Sequence, residues 1–212
     1  NIAGPNAREV LSTLTDTDLS TEVFPYMAAP QGRIADIPAL MLRIGFVGEM
    51  GYEIHVPSEY GTALWNILME AGKSYGIAPF GVDTQRLLRL EKKHVIIGQD
   101  TDALSNPLEA DMGWVVHFKK RDFIGKAALQ RVKQRGLQNK LVGFKMNEDA
   151  IVEDGCSIVQ GGQSVGRVTS FRYSPTVDSG IGMAWLPQTM GADRTPLLIH
   201  TATGDASASV HN

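Results

Sequence analysis

Two runs of alternating apolar and polar character flank residue 49. Leu40, Leu42, Ile44 and Phe46 alternate with Met41, Arg43 and Gly45, and beyond the link Tyr52, Ile54 and Val56 alternate with Glu53 and His55. A period of two on both sides predicts a pair of antiparallel strands. The link, Gly45-Phe46-Val47-Gly48-Glu49-Met50-Gly51, holds three glycines, which permit a tight turn and let a flat ligand approach the backbone. Around this hairpin the spacing switches to helical. Gly4-Pro5 opens a helix running to Leu14, with proline at an early position where its missing N–H matters little. Residues 15–38 read as turns and short strands. Tyr60, Ala63, Leu64, Ile67, Leu68 and Ala71 form one stripe of a helix capped by Ser58 and stopped by Gly72. Asp83 or Thr84 caps a third helix carrying Leu87, Leu88 and Leu90, and a fourth spans about Ile124 to Arg135 and ends at Gly136.

From Leu141 the texture changes. Short apolar runs (Leu141–Phe144, Ser157–Gln160, Ser164–Ser170, Gly182–Trp185, Leu197–Thr201) are separated by turn signals at Gly161-Gly162, Gly191 and Gly204. Strands at this spacing predict a small antiparallel barrel or sandwich. The expected fold class is therefore α+β: helices with antiparallel strands, followed by a small C-terminal antiparallel β-barrel. The polar stretch Gly136–Lys140 marks the expected boundary, giving domains of residues 1–137 and 138–212.

Bulk properties narrow the function mainly by exclusion. A chain of 212 residues with 43% hydrophobic and 20% charged residues has an ordinary globular composition. The net charge of -3 and the short basic cluster Lys119-Lys120-Arg121 give no face for nucleic acid. No apolar run approaches the length of a membrane span. The lone Cys156 fits a small core residue in a reducing compartment, so a cytoplasmic location is expected. The histidines at 55, 94, 117, 200 and 211 have no metal-ligand spacing, and there is neither a Gly-x-Ser-x-Gly elbow nor a phosphate-cradling glycine loop. The chain opens on Asn1, not methionine, as a piece of a longer polypeptide would. What remains is Glu49, a carboxylate whose two oxygens can accept from a ligand edge bearing two donors. On these residues alone the stretch also describes an ordinary hairpin with a solvated glutamate.

Two further segments change that balance: Leu88-Arg89-Leu90-Glu91 through Gly98-Gln99-Asp100-Thr101-Asp102, and Gly166-Arg167-Val168-Thr169-Ser170-Phe171-Arg172-Tyr173 through Ala184. With Gly45–Glu53 they occur in the order found in the folate-dependent aminomethyltransferase family, the T-protein of glycine cleavage and its relatives, which the chain resembles over nearly its whole length. Asn1–Arg8, Phe24-Pro25-Tyr26-Met27, the Gly98–Asp102 ending, Trp114 and Asp122-Phe123-Ile124-Gly125-Lys126 look closest to the C-terminal part of the sarcosine oxidase alpha subunit, with dimethylglycine oxidases sharing much of the pattern.

The resemblance implies that residues 1–137 are the C-terminal part of a folate-binding domain and 138–212 its barrel domain. It implies tetrahydrofolate as cofactor, a small-molecule folate as partner, and a flavin-containing domain or subunit elsewhere in the protein. Glu49 matches the family's pterin-binding glutamate. Arg86 and Arg43 are candidates for the folate tail carboxylates, Gln85 standing where the family has its arginine. Tyr52 is a further binding candidate, although its place in the alternation also suits the core. No catalytic residue is assigned, because the family's catalytic carboxylate lies in the N-terminal part of the transferase; the chain alone is not expected to turn over substrate. The competing expectation is a non-catalytic folate-binding or subunit-interface module of the same family. The iron–sulfur repair relatives carry Lys-Gly-Cys-Tyr-x-Gly-Gln where this chain has Lys93-His94-Val95-Ile96-Ile97-Gly98-Gln99, and the missing cysteine counts against that branch.

Overall fold

The computed structural model describes residues 1–212, which form two compact units, Asn1–Lys92 and Lys93–Asn212. The first unit is built on a four-stranded antiparallel sheet in the order β1-β4-β3-β2, with β1 Ile2–Ala3, β2 Gln31–Ile34, β3 Ile37–Leu42 and β4 Gly51–His55. The hairpin expected around residue 49 is present: Leu40 pairs with His55, Met41 with Ile54 and Leu42 with Glu53. Pairing stops at Leu42 and Glu53, so the link is wider than a two-residue turn. The alternation also resolves to one side. Ile37, Ala39 and Met41 are buried, whereas Leu40 faces outward. Long-range packing decides this, because both faces of that run are apolar in sequence.

Three helices complete the first unit. Helix α1 covers Ala7–Ser12 and stops short of Leu14, where Ser12 and Thr13 donate their hydroxyls to the Glu9 and Val10 carbonyls and end the turn. Helix α2 spans Gly61–Ala71, preceded by a 3₁₀ turn over Ser58–Tyr60. The Ser58 side chain makes no cap, contrary to expectation. The stripe is as expected, with Leu64 in the core and Ile67, Leu68 and Ala71 packed against it. Helix α3, Val82–Glu91, is capped by the extended Gly81, which leaves Asp83 in the first turn, where its charge favours the helix N-terminus. The core joins Val10 and Leu11 of α1 to Ile34, Met41 and Tyr52 of the sheet. Each such side chain contributes roughly 1.5–3 kcal/mol of burial.

The second unit begins with an irregular segment, continues through α4 (Lys126–Arg135, terminated at Gly136), and ends in a closed barrel. Its strands are β5 Asn139–Met146, β6 Ser157–Gln160, β7 Gln163–Ser174, β8 Ser179–Pro187, β9 Pro196–Thr201 and β10 Gly204–Val210, ordered β10-β5-β8-β7-β6-β9. Gly161-Gly162 is the two-residue turn between β6 and β7, both residues at positive φ. Strand β10 was not among the sequence expectations, since its inward residues Ala206 and Ala208 are too small to signal a strand. Cys156 packs, half-buried, against the barrel core. No helix is long and apolar enough to cross a membrane.

Candidate functional site

The loop 43–50 at the end of the β3–β4 hairpin is held in a single path by backbone approaches that only glycine permits. A Cβ on Gly45 would lie 2.6 Å from the Glu49 carbonyl oxygen, and one on Gly51 would lie 2.9 Å from the Ile44 carbonyl oxygen. Gly48 has φ +85°, a left-handed conformation that costs a side-chain-bearing residue about 1 kcal/mol or more. Its missing Cβ leaves room for the Lys92 side chain. Val47 is buried and anchors the loop, and Gly4 donates its N–H to the Met50 carbonyl at 2.9 Å. Strand β1 lies alongside, pairing Ile2 with Tyr52 and Ala3 with Gly51. The loop is therefore clamped from both sides while the Glu49 side chain stays exposed.

The other candidates from sequence take different places. Arg43 stands at the foot of the loop, where its Nη1 donates to the Phe24 carbonyl at 2.9 Å. Its own main chain pairs with Met27 and Ala28. It thus ties the 24–28 segment to the hairpin. Tyr52 is 0% exposed and packs edge-on against Phe24, ring centroids 5.7 Å apart. Its hydroxyl accepts from Arg8 Nε at 3.3 Å, an interaction that raises the Arg8 pKa still further. No face of the Tyr52 ring is open for stacking, so its part is to fix the strand that carries the loop. Arg86 is exposed on α3, with Nη1 3.6 Å from Asp83 Oδ1 one turn earlier. Such surface pairs are worth only tenths of a kcal/mol. The structure thus brings Arg43, Glu49 and Tyr52 onto one hairpin, with Arg86 on a separate helix.

A groove of about 510 Å³ opens elsewhere on the same unit, walled by the Asn1–Asn6 segment, Trp65 and Leu68 of α2, Tyr75 and Phe80. It reaches Gln85 but neither Glu49 nor Arg43.

In the second unit, two of the sequence blocks meet around a residue that the sequence reading did not single out. Asp100 is fully buried. Its Oδ1 accepts from the Thr169 hydroxyl at 2.6 Å and the Ser170 hydroxyl at 2.5 Å, and its Oδ2 accepts from the Ile96 N–H at 2.8 Å. Its main-chain carbonyl accepts from Trp185 Nε1 at 2.7 Å. On one side Gln99 Nε2 donates to Ser170 Oγ at 3.0 Å and to Asp154 Oδ2 at 3.2 Å; on the other, Arg167 pairs with Asp102 at 3.2 Å. The Ser105 hydroxyl, the Leu104 N–H and then the Arg167 charge hold the Asp102 carboxyl below its ordinary pKa. Thr169 sits where the β7–β8 register shifts between Val168 and Ser170, a bulge that re-aims side chains. Asp100 is thus the buried attachment of the run Gly98–Asp102 to the barrel wall, while Gly98 and Asp102 stay exposed.

Comparison with known proteins places these features in context. Residues 1–120 match the family model described as the GCVT N-terminal domain, and residues 139–212 match the glycine cleavage T-protein C-terminal barrel domain. The aminomethyltransferase of Halothermothrix orenii is 38% identical over 185 residues, covering 87% of this chain and 51% of that protein. That of Caldanaerobacter subterraneus is 41% identical over 183 residues, covering 86% and 49%. The crystal structure of glycine cleavage system aminomethyltransferase T from Bartonella henselae superposes with a TM-score of 0.85 at 26% identity, over 99% of this chain and 56% of that one. The chain spans about half the length of the curated relatives it matches.

Proposed function

The chain belongs to the glycine cleavage T-protein family, and from that premise we propose that it is the folate-binding portion of a one-carbon transfer enzyme. In this reading the longer protein forms methylenetetrahydrofolate from an aminomethyl or methylated glycine derivative. Residues 1–137 are the C-terminal part of its folate-binding domain and 138–212 its barrel domain. The observation that carries the reading is Glu49: an exposed carboxylate on a loop whose glycines tolerate no Cβ without collision or strain.

The chemistry of the pair is specific. A pterin presents its exocyclic amine and the neighbouring ring N–H as two parallel donors, and a carboxylate accepts both. A ligand lacking either donor leaves an acceptor unmet at roughly 1–3 kcal/mol. Arg43 and Tyr52 hold the hairpin that presents Glu49. Arg86, exposed and only weakly paired, offers a guanidinium to the carboxylates of the folate tail. A finer version has a methylated glycine as substrate and a flavin-containing domain or subunit as partner; it is supported by the Asn1–Arg8 and Gly98–Asp102 motifs. A flavin or dinucleotide fingerprint in the sequence upstream of Asn1 is the observation that separates it from a bare transferase.

Calorimetric titration with tetrahydrofolate tests the pterin assignment, using this chain and the full-length protein. Glu49→Gln is expected to weaken binding by about 1–3 kcal/mol while leaving the fold intact. Absence of binding below millimolar concentration in the full-length protein, or equal affinity after Glu49→Gln, would sink it.

A further inference from the structure

Helix α3 ends against the loop that carries Glu49, and its last contact is made by Lys92. The backbone N–H of Lys92 closes the final turn on the Leu90 carbonyl. A lysine here has an ordinary explanation, a cation placed at a helix C-terminus. The course of its side chain goes beyond that. Measured to the point a Gly48 Cβ would occupy, Lys92 Cγ lies at 2.2 Å, Cε at 2.6 Å and Cδ at 2.9 Å. The stem from Cγ to Cε is laid over the glycine that precedes Glu49, which keeps the ammonium, one bond past Cε, close to the same loop. Ordering a lysine stem forfeits up to about 2 kcal/mol of rotamer freedom. Here an apolar stem is spread on backbone while the residue as a whole remains exposed.

The two charges at this tip are not spent on each other or on neighbours. Ion pairs elsewhere in the unit involve Asp83, Arg86, Glu70, Lys73, Glu53 and His55, and neither Glu49 nor Lys92 takes part in one. A carboxylate and an ammonium left unpaired at one loop offer a ligand two acceptors and a donor. A ligand edge that complements this array reads donor, donor, acceptor. A 4-oxo pterin offers that order: exocyclic amine, ring N–H, then ring carbonyl.

We propose that Lys92 is a second recognition residue of the folate site, its ammonium donating to the pterin ring carbonyl beside the two donors accepted by Glu49. The proposal rests on the pterin reading of Glu49. It gives Gly48 a double purpose, since any side chain there would displace the Lys92 stem as well as strain the backbone. It also assigns the tip a specificity that a lone carboxylate lacks, namely discrimination by the oxygen next to the ring N–H.

The test uses the full-length protein, titrated with tetrahydrofolate and with its 4-thio analogue, whose C=S keeps the ring N–H donor but accepts poorly. Wild type is expected to prefer the oxo compound. Lys92→Met keeps the stem on Gly48 but removes the donor. It is expected to weaken tetrahydrofolate binding roughly tenfold, the scale of one charge-assisted hydrogen bond, and to bind the two compounds equally. Lys92→Arg is expected to restore part of the preference, and thermal midpoints of all three proteins should agree. Unchanged affinity in Lys92→Met, or an oxo preference that survives it, overturns the role of Lys92 alone. Loss of effect in Glu49→Gln instead overturns the pterin reading and this inference together.

Discussion

Asp100→Ala is the substitution from which the structure demands most. The wild-type carboxylate has no solvent exposure and accepts two hydroxyls and one main-chain N–H. Removing it leaves the Thr169 and Ser170 hydroxyls and the Ile96 N–H without that acceptor. The Thr169 hydroxyl has an alternative, since the Met183 carbonyl already lies 3.2 Å away. The Ile96 N–H is fixed in the backbone and cannot re-aim. Leaving a buried donor without its acceptor costs about 1–3 kcal/mol, and with the Ile96 N–H stranded and the Thr169 hydroxyl partly rescued the expected loss is about 3 kcal/mol. Asp100→Asn keeps one oxygen for the hydroxyls but turns an amide N–H toward the Ile96 N–H, so roughly 1–2 kcal/mol is expected.

Urea unfolding followed by tryptophan fluorescence is a suitable assay, because Trp185 donates to the Asp100 carbonyl and reports on this junction. With a slope of about 2 kcal/mol/M, the alanine variant should unfold at roughly 1.5 M less urea and the asparagine variant at an intermediate midpoint. An alanine variant within about 0.5 kcal/mol of wild type, or an asparagine variant less stable than alanine, would refute the idea that this carboxylate pins Gly98–Asp102 to the barrel.

Two further expectations concern backbone and charge. Gly48→Ala places a Cβ at φ +85° and into the Lys92 stem, and is expected to lose about 1–2 kcal/mol; Gly61→Ala, at φ -55° in the first turn of α2 with nothing within 4 Å, is expected to gain a few tenths to 1 kcal/mol. Thermal midpoints moving in the same direction would contradict this contrast. Asp102 titrates below its ordinary value of 3.8 because Ser105, Leu104 and Arg167 favour its charged form. Its contribution is therefore fully present above the unfolded-state pKa and is lost as pH falls through the lower folded value. Carboxyl NMR titration should place its midpoint below 3.8, and Ser105→Ala should move it upward.

What was legible in the sequence was local. The β3–β4 hairpin, the stripe of α2, the end of α4 at Gly136 and the turn at Gly161-Gly162 all follow from periodicities and turn residues within a few positions of one another. The side of the hairpin that enters the core is not legible, because Leu40 and Met41 are both apolar and only packing into the shared core of the unit chooses between them. Tyr52 is a binding candidate whose alternation favours the core, and Phe24 and Arg8 enclose it there. Asp100 is not legible for the opposite reason: the ends of Gly98–Asp102 are solvated, and the burial of Asp100 depends on Thr169 and Ser170, about seventy positions away. Nothing near Lys92 in sequence signals that its stem lies over Gly48. Glu49 itself was found correctly as a presented carboxylate, since glycines on both sides are a local signal.

The ring of strands at the C-terminal end has a consequence for how the two units open. A closed barrel has no outermost strand: β10 is hydrogen-bonded to both β5 and β9, so loosening any one seam still leaves each strand a partner. The sheet of the first unit, by contrast, is open along the order β1-β4-β3-β2 and does not close on itself. The barrel amides should therefore exchange together, in one event that opens the whole ring, at a free energy close to that of unfolding the unit.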